Sequence, residues 1–170
     1  RMDYVKASTG HIFSQDTTNG DKFNPLLDKG PQRLFKFVSI GGGEYSQNNY
    51  KISIANIKHS PNEDADPYGT FDVLVRRISD FDHNPNIVER FSKVNLNPNS
   101  DRYIGRIIGT QYFTWNYAEK RFQQTGLYEN KSRYIRVEFH ENMKKGTVAK
   151  NALPFGFIGP QRFKSWPTTT

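Results

Sequence analysis

The chain has 170 residues, no cysteine and a formal net charge of +7 at pH 7. The length fits one domain, and the missing cysteines exclude disulfides, thiolate metal sites and cysteine nucleophiles. No stretch approaches the roughly 20 apolar residues of a membrane-spanning helix. Aromatics at 14%, with 13 Phe and 9 Tyr, set against a mean hydropathy of −0.79, suit a β-rich domain whose anchors sit among long polar loops. A basic excess favours acidic partners, nucleic acid included. Here the charge is scattered, with Lys144-Lys145 and Arg76-Arg77 only as pairs. The chain opens at Arg1 and ends in Ser165-Trp166-Pro167-Thr168-Thr169-Thr170, which reads as a piece of a larger polypeptide.

Residues 1–32 are rich in Asp, Asn, Thr and Gly and read as an N-terminal arm, with Ile12-Phe13 and Leu26-Leu27 as local anchors and Pro31 closing the segment. A β-rich core domain is expected over 33–140, beginning with a strand at 34–40. Gly41-Gly42-Gly43 end that strand in a hairpin loop needing positive φ. A polar turn through Gln47-Asn48-Asn49 then leads to a strand at 50–57, where Tyr50, Ile52 and Ile54 share a face. After an acidic loop at 61–67, Phe71, Val73 and Val75 alternate with Asp72, Leu74 and Arg76 in a third strand over 70–78. Three strands joined by polar loops predict an antiparallel sheet with one covered face.

Pro85 together with Asp80, Asp82, Asn84 and Asn86 marks a turn. Asn86 with Glu89 three residues later has the form of a capping box, and Ile87, Val88, Phe91 and Val94 follow helical spacing, so a short helix is predicted over 87–94. Asn95-Leu96-Asn97-Pro98-Asn99-Ser100 stops it. Ser100 or Asp101 caps a second short helix over 101–108, whose apolar stripe is Tyr103, Ile104, Ile107 and Ile108. A hairpin follows, with arms at 111–115 and 121–123 around Asn116-Tyr117-Ala118-Glu119, and then a strong strand at 134–139. The tail, 141–170, contains the Gly- and Pro-broken segment 153–160 and is expected to pack as an irregular arm. The predicted fold class is α+β: a mainly antiparallel, sandwich-like sheet domain flanked by short helices, with irregular N- and C-terminal arms.

Four features of the sequence could carry chemistry. Gly41-Gly42-Gly43-Glu44 follows a strand, but no Gly-x-x-x-x-Gly-Lys is present to cradle a phosphate. His11, His59, His83 and His140 are far apart in sequence, with no His-x-x-x-His spacing for zinc. Asp64, Asp66, Asp80 and Asp82 lie at alternate positions as in calcium loops, yet the central Gly and the bidentate Glu are missing. Aromatics beside basic residues, as in Arg121-Phe122, could stack nucleobases on an OB-like sheet, but no RNP-type motif is present and strand anchoring explains them better. No catalytic set, metal set or cofactor-binding set emerges, and the chain reads as a non-enzyme. An OB-like nucleic-acid-binding domain and a virion adhesion domain stay open as alternatives.

The order of motifs is more informative. Tyr68-Gly69-Thr70-Phe71 leads to Val75-Arg76-Arg77, followed by Val88-Glu89-Arg90-Phe91, then Asn97-Pro98-Asn99-Ser100, then Tyr103-Ile104-x-Arg106-Ile107-Ile108-Gly109. Downstream lies Tyr128-x-Asn130-Lys131-Ser132-x-Tyr134-Ile135-Arg136-Val137, and upstream lie Leu34-Phe35-Lys36-Phe37 and Tyr50-Lys51-Ile52-Ser53-Ile54. Over roughly residues 33–157 this series resembles the contractile tail sheath proteins of tailed bacteriophages, T4-like and larger. The resemblance implies a structural subunit without enzyme activity or cofactor. It implies hexameric rings stacked helically around a tail tube, assembled in the host cytoplasm, that rearrange on contraction to drive the tube through the host envelope. The chain would then be a middle domain of the subunit, with tube and baseplate contacts lying in other parts. On that reading Arg76, Arg77, Asp80, Asp82, Arg102 and Arg106 are candidate inter-subunit contact charges, and solvated arms at both ends could join neighbours by strand addition.

Overall fold

A computed structural model describes residues 6–15, 32–146, 148, 150 and 152–162. The fold is a sheet-dominated α+β domain with antiparallel strands, short helices and irregular terminal segments. One sheet contains β1 (Ile12–Phe13), β2 (Arg33–Ser39) and β8 (Ile135–Phe139), in that order. A second contains β3 (Tyr50–Lys58), β4 (Thr70–Arg77), β5 (Ile87–Val94) and β9 (Phe157–Pro160), ordered β5-β4-β3-β9. The strands β6 (Tyr112–Asn116) and β7 (Arg121–Thr125) form a separate ribbon.

The two larger sheets share one core. Phe35 and Phe37 of β2 and Ile135 and Val137 of β8 bury against Ile52, Ile54, Phe71, Val73 and Val75 of the second sheet. Phe35 stacks on Phe71 with ring centroids 6.3 Å apart. The two rings therefore place aromatic area from both sheets in a single contact, where burial is worth most. The predicted single sheet of three successive strands does not form, because β2 pairs with β8 and leaves β3 and β4 to the second sheet. The chain changes layers through α1 (Gly43–Asn49), so Gly41, Gly42 and Gly43 build no positive-φ hairpin; Gly42 precedes the helix at φ −60°.

The predicted helix over 87–94 is instead strand β5. Its pairing explains why a helical spacing was misleading. Phe71 faces Val94 while Val73 faces Phe91, and Val75 faces Glu89 while Arg76 faces Ile87, so β5 carries an extra residue in each interval. The first of these bulges brings Phe91 and Val94, three apart, onto the same face. Glu89 caps no helix; its carboxylate accepts from Ser132 Oγ at 2.6 Å and the Arg133 N–H at 3.0 Å, tying β5 to the approach to β8. The second predicted helix shortens to α2 (Ile104–Ile108), preceded by Tyr103 without a side-chain cap. Ser100 Oγ accepts from the Arg102 N–H and from Asn95 Nδ2, closing the turn before it.

The described parts of the terminal segments are sewn into the core. Ala7, Thr9, Ile12 and Ser14 are buried, and the backbone around Ser8 bridges both Val38 and Arg162. Residues expected in an irregular tail form β9, antiparallel to β3. Those described terminal residues that pair do so within their own chain. Leu26-Leu27 and Pro31 lie outside the described residues. After β8, His140 caps α3 (Glu141–Lys144) by accepting from the Asn142 N–H.

The buried Asp72 carboxylate sits between two bulges. It accepts from Asn56 Nδ2 at 2.8 Å on the β3 side and from the Lys93 N–H at 2.9 Å on the β5 side. Asn56 and Lys93 both adopt φ 52°, the left-handed region that costs a non-glycine residue energy unless neighbours hold it. Asp72→Ala should lower unfolding free energy by about 1–3 kcal/mol in urea titration. It should also speed hydrogen exchange at the Lys93 amide more than at Val73.

Candidate functional site

Among the described residues, no three His, Asp or Glu side chains converge as a metal site. Asp64 and Asp66 are exposed in their loop. His11 and His140, distant in sequence, meet edge to face at 5.1 Å. Burial and then the nearby Lys36 disfavour the charged form of His11.

The six candidate contact charges separate into different environments. Arg76 and Asp80 are internal: Arg76 Nε lies 2.6 Å from Asp80, whose other oxygen is 2.6 Å from Lys51 Nζ. The Asp80 side chain is 1% exposed, and the backbone N–H of Asn86 also donates to it. Burial alone would raise the Asp80 pKa, but hydrogen bonds from Arg76, Lys51 and Asn86 outweigh it and hold the group down at about 2. Asp82 joins Arg76 at 3.1 Å while staying 76% exposed. Arg77 is exposed, its guanidinium 5.6 Å from the Tyr50 ring centre. Arg102 donates to the carbonyls of Ser92 and Lys93, bracing the β5 bulge. Arg106 reaches the Pro98 carbonyl and lies over the Tyr128 ring. Arg77, Asp82, Arg102 and Arg106 therefore retain exposed charge, whereas Arg76 and Asp80 are committed to holding the β4–β5 turn.

The β6–β7 ribbon presents a surface that charge patterning alone did not single out. Its register places Trp115 opposite Phe122 and Phe113 opposite Gln124 on one face. Phe113, Trp115 and Phe122 are 61%, 41% and 54% exposed, and Tyr117 at the tip is 80% exposed. Trp115 and Phe122 pack edge to face at 5.1 Å, but among the described residues no layer covers them. The alternation of Phe113 and Trp115 was visible in the sequence; what it lacked was the knowledge that the ribbon joins neither larger sheet.

The ribbon is clamped at its root. Asn130 accepts from the Gln111 N–H at 3.0 Å and donates back to the Gln111 carbonyl at 2.7 Å. Gly126 has φ 114°, and an added Cβ would lie 2.6 Å from the Thr110 carbonyl oxygen, so only glycine closes the root without displacement. Aromatic side chains held on a clamped ribbon lose little further freedom on contact, which favours their use in recognition.

Comparison of the chain with protein-family models, with curated proteins and with solved structures finds no match in any of the three.

The Asp80 cluster gives a pH prediction with a definite sign. Its folded pKa near 2 lies below the ordinary 3.8, so its stabilising contribution is fully present above about pH 4 and disappears as pH falls toward 2. Urea unfolding of the wild type should weaken over that window. Asp80→Asn should cost about 3 kcal/mol at pH 7 and flatten the same acid limb.

Proposed function

We propose that this chain is a structural domain of a bacteriophage contractile tail sheath, acting through contacts between copies and performing no reaction. The observation that carries the reading is the uncovered aromatic face of the β6–β7 ribbon, Phe113, Trp115 and Phe122. A two-stranded ribbon is marginal by itself in water, and clustered exposed aromatics mark surfaces that become buried on association. The ordered motifs of the resemblance support the same reading. So do the exposed charges of Arg77, Asp82, Arg102 and Arg106, since exposed ion pairs of about 0–1 kcal/mol each suit contacts that must exchange on contraction.

The test compares the wild-type polypeptide with Trp115→Glu/Phe122→Glu by sedimentation velocity and negative-stain electron microscopy. Wild type should form sixfold rings or tubes as concentration rises. The double variant should need roughly tenfold more protein to associate, with an unchanged melting temperature. A wild type that stays monomeric, or a variant that assembles equally well, would defeat the proposal. Retention on single-stranded nucleic acid that collapses with added salt would favour a nucleic-acid-binding role for the ribbon instead.

A further inference from the structure

Behind the ribbon root lies a cavity of about 640 Å³ that the assembly reading does not use. That volume is within the range of small-molecule sites. Its walls include Tyr68, Tyr103, Tyr128, Val137 and Phe139. Tyr103 and Phe139 are stacked at 5.4 Å, and Tyr128 meets Tyr103 edge to face at 5.7 Å. Three aromatic side chains thus make one wall.

The charged residues of the lining are Arg136, Glu138, Lys144 and Lys150, of which Arg136 is the guanidinium. The Arg136 side chain is 14% exposed, its nearest carboxylate is Glu138 at 3.8 Å, and its guanidinium sits 4.7 Å above the Tyr112 ring. That separation from Glu138 is too long for a hydrogen bond, and no described residue provides another acceptor for the guanidinium. Glu138 is itself 47% exposed and lies 4.0 Å from Lys36, so its charge is shared. Burial works against the charged form of Arg136 more strongly than Glu138 supports it. Tyr103 is also without a hydrogen-bonding partner for its hydroxyl among the described residues, and burial keeps that hydroxyl protonated. Arg136, whose one carboxylate neighbour lies beyond hydrogen-bond distance, lines the same cavity as this aromatic wall, a combination that matches a planar anion carrying an apolar body.

We propose that this cavity binds a small monocarboxylate with an aromatic or alkyl body, its carboxylate on Arg136 and its apolar part against Tyr103, Tyr128 and Phe139. The site is independent of assembly through the ribbon face, because Tyr112 projects to the opposite side from Phe113 and Trp115.

The test titrates the protein with 3-phenylpropanoate and, separately, with its neutral amide 3-phenylpropanamide, following backbone amide shifts by NMR and heat by calorimetry. The carboxylate should bind saturably, with shifts centred on residues 103, 128 and 136–139, and at least about tenfold more tightly than the amide. Arg136→Gln should remove that preference, and its own spectrum reports whether it is folded. The carboxylate–amide comparison on wild type stands even if the variant does not fold. No saturable binding, equal binding of acid and amide, or an undiminished preference in a folded Arg136→Gln would overturn the proposal.

Discussion

The fold depends on one buried carboxylate. Asp72 lies in β4, the strand between β3 and β5, and holds a left-handed residue in each neighbour through hydrogen bonds to Asn56 and the Lys93 N–H. Without the Lys93 bulge, the register that pairs Val73 with Phe91 could not also pair Phe71 with Val94. One of those side chains would then turn away from the core, because strand faces alternate with period two. The same carboxylate therefore fixes both a backbone detour and the apolar surface that β5 contributes.

That device explains where the sequence could be read and where it could not. Strands with clean alternation were legible: Tyr50, Ile52 and Ile54 in β3, Phe71, Val73 and Val75 in β4, and Ile135 and Val137 in β8 are all buried. The β6–β7 hairpin was legible too, with its turn centred where Asn116 and Glu119 predicted it. Segment 87–94 was not, since two bulges convert a strand's period into one that imitates a helix. Its β-branched Ile87, Val88 and Val94 were the available warning, because such residues favour a pleated surface. Sheet membership was hidden for a different reason: the β2–β8 pairing joins residues about a hundred positions apart, which no local pattern encodes.

At the surface the sequence indicated charge better than its use. Arg76 and Asp80 were candidate contact charges, yet they neutralise each other with Lys51 inside the turn. Many residues in the ordered motifs likewise have internal work. Glu89, Ser132 and Asn130 join separate segments, and Asn95, Asn97 and Ser100 close a turn through successive side-chain to backbone bonds. With those residues occupied, the aromatic ribbon face and the exposed charges of Arg77, Asp82, Arg102 and Arg106 remain among the outward-facing features. The lattice reading rests on them.

The most direct measurement places a photoreactive benzoylphenylalanine at position 117, on the exposed ribbon tip, in equal mixtures of isotopically light and heavy protein. After irradiation at assembling concentrations, mass spectrometry of the cross-linked peptides identifies what the tip touches. The account predicts mixed light–heavy peptide pairs, which only contact between separate copies can produce. Cross-links confined to same-isotope pairs, or none at all, would contradict it.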